Sequence, residues 1–445
     1  MAIMTYLTSS DNELAEEMAR NLYVDNILLS ASTVEEALSK YKKSKVLFAR
    51  IGMNLREYVS NNNAVNEAIP VEDRSPNGKI KFLGVPYDTR SDEFSVELSI
   101  CIKERPTKRD IVSQLNSIYD PLGLAAPLLI KLKHLMREIF ECNLDWKDQI
   151  PPNLSRQWVR ACNDINNTTM SIPRTLNVTA SGTLSYSLWT FCDASELAMA
   201  TCAYLRSDNT LSVSSLISGK TKLAPKRKKQ TIPKLELLAI LMGTRLSTNI
   251  SESTEYVKEV NIIADSKVAL AWVKTARKLP LFVSNQKERI TKLVNQIRVK
   301  NINVNFYYVP TTENPADAGT RGLSTEKMST HSWIRGPKWL TESQNKWPLV
   351  SINGITEEII ENVIKEVSTA TVEIEETSDI KKPTKIIDLK RFSQLNKALR
   401  TMARVGKGLK RWISRTNNHR STSIKTELIN QFSFERKTSA SDISL

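Results

Sequence analysis

Between residues 188 and 309 short apolar runs alternate with longer amphipathic ones, and this alternation narrows the fold more than any other feature of the chain. Residues 188–193, 198–205 and 211–218 read as three consecutive antiparallel strands. Residues 233–249 then put Leu235, Leu238, Ala239, Met242 and Leu246 on one face of a helix. An apolar strand follows at 258–264, a short helix at 266–276, another helix at 282–298 and a last strand at 302–309. Strands that give way to helix–strand–helix alternation predict an α/β domain with a mixed five-stranded sheet and helices against it.

Four carboxylates punctuate these elements. Asp193 ends the run from Leu188, Glu236 lies one turn into the helix that Pro233 starts, Asp265 ends the run from Asn261, and Asp317 closes Asn314-Pro-Ala-Asp317. A carboxylate at the end of a buried strand is costly to desolvate unless something positive meets it. Several brought together predict a site for divalent cations that favour hard oxygen ligands, Mg²⁺ or Mn²⁺. Two such ions can activate a water and stabilise a leaving oxygen at a phosphodiester. Each acid also has a plainer reading. An Asp after a strand is commonly a helix cap or turn residue, and an acid in a first helical turn complements the dipole. The order of all four, with the expected elements between them, favours the shared site.

The balance of charge points to a polyanionic partner. Formal net charge is +15 over 445 residues, although composition alone does not separate nucleic acid from an anionic membrane. Residues 381–445 hold sixteen Lys/Arg against four Asp/Glu, so most of the excess lies there. Zinc is not expected. The cysteines Cys101, Cys142, Cys162, Cys192 and Cys202 include no C-x-x-C pair, and His134, His331 and His419 complete no finger pattern. Five scattered cysteines, an odd count, fit free thiols in a reducing compartment. No secretory leader and no membrane-spanning apolar run is evident. The expected location is intracellular, cytoplasmic or nuclear.

Outside the central region the chain carries several further signals. Residues 20–32 are two apolar runs around Asp25-Asn26, a hairpin signal, and residues 33–52 look helical. Strands are expected at 79–87 and 94–102, helix over 107–141 broken at Asp120-Pro121-Leu122-Gly123, and another helix over 146–166. Lys220, Lys222, Lys226, Arg227, Lys228 and Lys229 form a basic stretch ahead of the Glu236 helix. They are either nucleic-acid contacts or a solvated loop. Trp333, Trp339 and Trp347 are expected to anchor their segment on a domain surface, with base stacking as the alternative. Residues 349–385 read as a linker with some helix. Residues 389–413 read as a basic amphipathic segment, and the polar stretch after them as disordered.

Several of these motifs together resemble the polyprotein of Pao/BEL-type LTR retrotransposons. Tyr23-Val24-Asp25-Asn26 resembles the metal-binding hairpin of a reverse-transcriptase palm, and Asn54 to Asn61 and Phe82 to Tyr87 resemble the segments after it. Ser117-Ile-Tyr-Asp-Pro-Leu-Gly-Leu124, with Pro127 and Trp146, is a distinctive signature of that family. The four acids stand in the order of its ribonuclease H. Gly336 to Leu340, Trp347-Pro348 and residues 387–405 resemble its later stretches, so the similarity covers roughly residues 15–412. The palm resemblance starts late, Asn26 stands where a second Asp is usual, and the integrase and protease regions have no counterpart.

The resemblance implies a multidomain α/β and α+β chain. Expected are a truncated palm remnant (1–105), a helical connection (106–183), a ribonuclease H-like domain (184–325), a following segment and acidic linker (326–385), and a basic helix with a partly disordered tail (386–445). It implies cleavage of the RNA strand of an RNA–DNA hybrid, with two Mg²⁺ or Mn²⁺ ions at Asp193, Glu236, Asp265 and Asp317. It also implies an inactive polymerase at Tyr23, Asp25 and Asn26. The partners would be RNA–DNA hybrid or duplex and other parts of the polyprotein. The alternative is a non-catalytic nucleic-acid-binding relic or a pseudogene product.

Overall fold

The computed structural model describes residues 2–24, 26–76, 78–175, 185–207, 212–226 and 230–354. The chain divides into two compact units, 1–367 and 368–445, and all described residues belong to the first. The expected linker end, basic segment and tail after residue 354 lie outside the described residues, as does Asp25.

The N-terminal part contains two helices that the sequence pattern does not predict, α1 (Ala2–Ser9) and α2 (Glu13–Arg20). The hairpin of β1 (Leu22–Tyr23) and β2 (Asn26–Ile27) follows, then α3 (Val34–Ala49) and α4 (Asn63–Ala68). Thr33 caps α3 by accepting from the Glu36 amide. Leu7, Leu14, Ala15, Met18, Leu47 and Phe48 close a small core of their own.

The run at 79–87 is itself a hairpin, β3 (Lys79–Phe82) and β4 (Val85–Asp88). Leu83 and Gly84 both have positive φ, 51° and 82°, which suits a two-residue turn. Then come β5 (Glu93–Leu98), α5 (Lys108–Asn116), α6 (Ala126–Glu141), α7 (Pro152–Asn163) and β6 (Thr168–Pro173). A Thr107/Asp110 capping box starts α5. β6 pairs antiparallel with β5 and completes a four-stranded sheet in the order β3-β4-β5-β6. The connection is therefore not purely helical. Its last element is a strand whose partner lies before residue 105.

The central sheet has the order β12-β11-β10-β7-β8-β9. Its strands are β7 (Tyr186–Ala194), β8 (Ala198–Ser207), β9 (Ser218–Leu223), β10 (Val257–Ala264), β11 (Asn303–Tyr308) and β12 (Val350–Ser351). β10 runs parallel to both β7 and β11, and the other pairs are antiparallel. Six strands form this sheet, not five, because Val350 and Ser351 return to pair with Tyr308 and Tyr307. β9 also departs from expectation. It begins at Ser218, where residues 211–218 were expected to form the strand. Within the expected stretch the Ser214 hydroxyl accepts from the Leu205 amide at 3.0 Å, and a serine bonding backbone in this way competes with the ladder.

The two faces of the sheet follow the period of two along β7. Leu188 and Cys192 face the core made with α8 (Ile232–Ser253), α9 (Lys267–Lys274) and α10 (Leu281–Val299). Trp189 and Phe191 face the other core, which α6, Trp158, Trp333 and Trp339 share. The Ser117–Leu124 signature is the joint between connection and sheet. Asp120 accepts from the Leu124 and Ala125 amides, both at 2.9 Å. The Leu122 carbonyl accepts from the Gly219 amide on β9 at 2.7 Å, and the Trp333 indole donates to the Gly123 carbonyl at 3.1 Å. Trp333 is fully buried, and Trp347 stacks edge-on to Trp189 at 4.9 Å with Arg206 over its ring. The tryptophans serve packing. Among the described residues no helix is long and apolar enough to cross a membrane.

Candidate metal centre

Strand direction and register bring the first acids together. β7 and β10 are parallel with Cys192 opposite Ala264, so Asp193 and Asp265 each follow that pair at the same end of adjacent strands. Glu236 comes from the second turn of α8, and its helix lies unusually close to β7. A Cβ at Gly243 would sit 2.3 Å from the Cys192 sulfur, so only glycine permits this approach. A hydroxyl pair helps hold it, Ser247 donating to Thr190 at 2.8 Å.

The carboxylates of Asp193, Glu236 and Asp265 each offer an oxygen, all within 4.8 Å of one another. Asp193 and Glu236 are buried and Asp265 is half-buried. Glu236 Oε2 and Asp265 Oδ1 are buried without a hydrogen-bond partner. Orphan acceptors of this kind are rare and ask for an explanation. Burial first, and then the neighbouring acids, push Asp193 up to about 7 and Glu236 up to about 9. Burial also raises Asp265, partly offset by hydrogen bonds from Thr311 and Asn314. Three hard-oxygen donors that repel one another, two of them with unpartnered atoms, fit a divalent cation. Among the described residues no other group of three or more His, Cys, Asp or Glu converges in this way. His331 is used locally, its Nδ1 accepting from the Trp333 amide at 3.0 Å.

Asp317 stands beside this trio and outside it. It opens α11 (Asp317–Arg321), and its Oδ1 is 2.7 Å from Arg321 Nε, close enough for an ion pair though not aligned as a hydrogen bond. Its charge adds to the upward push on all three acids. Asn314, from the same turn, donates to the Cys192 carbonyl at 2.9 Å and ties Asp317's segment to β7. In the sequence Asn314 stands out only as part of the Asp317 motif, with no role of its own. Thr320, whose hydroxyl donates to Asp193 Oδ2, does not stand out at all. No local pattern marks it.

The basic residues divide. Lys220 and Lys222 belong to β9 itself and not to a loop after it, and both are exposed. They register through Thr201 and Met199 of β8 to Cys192 and Ala194, the residues flanking Asp193. Two strand spacings, about 10 Å, separate their backbones from that of the acid strand. Lys226 pairs with Glu141 at 2.5 Å, and both are exposed. Arg227, Lys228 and Lys229 lie outside the described residues. At the other end of the chain Tyr23 is exposed on β1 and Asn26 lies on β2.

No curated protein matches the chain. Among solved structures, the N-terminal RNase H domain of rv2228c from Mycobacterium tuberculosis is similar at 16% identity and TM-score 0.24, over 33% of this chain and 96% of that one. RNase H1 from the halophilic archaeon Halobacterium salinarum is similar at 13% identity and TM-score 0.23, over 33% and 98%. The foamy viral protease-reverse transcriptase dRH in complex with double-stranded DNA is similar at 14% identity and TM-score 0.43, over 67% of this chain and 47% of that one. Residues 107–266 match the family described as the Pao retrotransposon-like RNaseH-like domain. That stretch runs from the cap of α5, through the Ser117–Leu124 joint, to the residue after Asp265, and takes in three of the four acids. Over residues 107–266 the chain is thus similar to the Pao retrotransposon-like RNaseH-like domain.

Proposed function

We propose that this chain hydrolyses the RNA strand of RNA–DNA hybrids at Asp193, Glu236 and Asp265, with Asp317 as a fourth acid. One observation carries the reading: three carboxylates converge at the carboxyl ends of β7 and β10 with two buried oxygens left unpartnered. Two Mg²⁺ or Mn²⁺ ions bound there would supply an activated water and stabilise the leaving oxygen. The residues' own work is to hold that charge in a fixed frame. Asp193 and Asp265 are set by parallel strand register, and Glu236 by the close seat of α8 on β7. Lys220 and Lys222, exposed on the edge strand near Asp193, suit contacts to phosphates of a bound duplex. The hairpin at Tyr23 and Asn26 is read as inactive in polymerisation, because Asn26 offers a neutral amide where a second carboxylate would hold metal.

The connection is read as part of the same folding unit, since α6 and Trp158 share a core with Phe191 of β7. A second reading, a domain that binds hybrid without cutting it, draws on Asp317 being tied to Arg321 outside the trio. End-labelled hybrids decide between them. With Mg²⁺ the purified chain should cut the RNA strand of an RNA–DNA hybrid and leave duplex DNA intact. Binding without cleavage would favour the second reading.

A further inference from the structure

We infer that Thr320 is a positioning residue that fixes the Asp193 carboxylate for cation binding; this rests on reading the acids as a cation-dependent centre. Thr320 is 2% exposed, and its hydroxyl donates to Asp193 Oδ2 across 127 residues of sequence. The same hydroxyl oxygen lies 3.0 Å from the Asp317 carbonyl. A hydroxyl carries one proton, so the two acceptors share it and the side chain ties both acid-bearing segments at one point. The torsion that turns a carboxylate is broad and soft. Without a partner the Asp193 oxygens would sample many orientations; with one oxygen held, the other is set.

The backbone next to Thr320 is shaped for this contact. A Cβ at Gly319 would lie 2.6 Å from the Ala200 Cβ and 2.9 Å from the Trp333 ring. Ala200 is the register partner of Asp193 on β8. Glycine at 319 therefore lets α11 settle onto the strand row that carries Asp193, and the next residue reaches the acid. Arg321, one residue further, is the ion partner of Asp317. This short helix thus handles two acids with consecutive side chains, one by hydrogen bond and one by charge.

The test is Mn²⁺ binding to the full chain, measured by calorimetry and by the electron paramagnetic resonance of the free ion, with no nucleic acid present. Thr320→Val keeps the side-chain shape and removes the donor. It should weaken Mn²⁺ binding roughly 10–100-fold, the usual cost of losing a partner behind a metal ligand. Thr320→Ser keeps the hydroxyl and should bind as the parent does. If Thr320→Val does not fold, Thr320→Ala makes the same comparison. Equal binding by parent and Val variant, or equal loss in the Val and Ser variants, would overturn the inference while leaving the centre itself intact. A parent chain that binds no Mn²⁺ would overturn the functional reading and this inference with it.

Discussion

Replacing Asp193 by Asn should change how the stability of the cation-free protein depends on pH. Burial and the neighbouring carboxylates push Asp193 from 3.8 up to about 7. The folded chain therefore holds this proton more tightly than the unfolded chain does. Stability is fully present below the unfolded value and is lost as pH rises through the folded one. From pH 5 to pH 7 is two units at about 1.4 kcal/mol each, so Asp193 alone should cost about 3 kcal/mol across that window. Above pH 7 its contribution levels off, while Glu236, pushed up to about 9, continues the decline. Asn has nearly the same volume and cannot ionise. The variant should therefore lose about 3 kcal/mol less than the parent between pH 5 and pH 8. In thermal midpoint that is about 6–12 °C for a domain of this size. Urea unfolding in EDTA at unit steps of pH measures it. Parallel curves for parent and variant would refute the electrostatic account of the site, because they would mean Asp193 carries no burden when cation is absent.

Three further outcomes are expected. Trp333→Ala removes a fully buried ring and the donor to the Gly123 carbonyl, and should cost about 3–5 kcal/mol in urea unfolding; a loss under about 1 kcal/mol would deny the joint its role. Changing Lys220, Lys222 and Lys226 to Gln should weaken hybrid binding and flatten its dependence on log salt by about 0.9 for each phosphate no longer neutralised. An unchanged slope would make them solvated lysines only. Primer extension on a template should yield no product from the purified chain, and extension would contradict the reading of the Tyr23–Asn26 hairpin.

Much of the central domain was legible because its elements have strong periods. Residues 188–193 lie within β7, which is buried on both sides. The helix at 233–249 lies within α8, which is buried round more of its surface than the expected face, with Leu238 and Met242 of that face only partly covered. Where the sequence misled, long-range or side-chain hydrogen bonds decided the outcome. Ser214 diverts the chain before β9. β6 is a polar run, Thr-Thr-Met-Ser-Ile-Pro, that becomes a strand only because β5 offers an edge. β12 has two residues and exists only against β11. The acids were visible through their motifs and were expected to converge, as Asp193, Glu236 and Asp265 do; that Asp317 stands outside the trio was not legible. Asp317 looks equivalent to the others in sequence, and only Arg321 four residues on sets it apart. Thr320 reaches Asp193 across 127 residues, and nothing local encodes that contact.

The central claim is that Asp193 anchors a cation-dependent hydrolytic centre, and one comparison tests it most directly. The parent chain and Asp193→Asn are purified side by side and given the same labelled RNA–DNA hybrid, with Mg²⁺ and with EDTA. The account predicts RNA-strand cleavage by the parent with Mg²⁺ alone, and none by the variant, while hybrid affinity stays nearly equal. Undiminished cleavage by the variant, or none by a parent chain that binds hybrid and Mg²⁺, would contradict it.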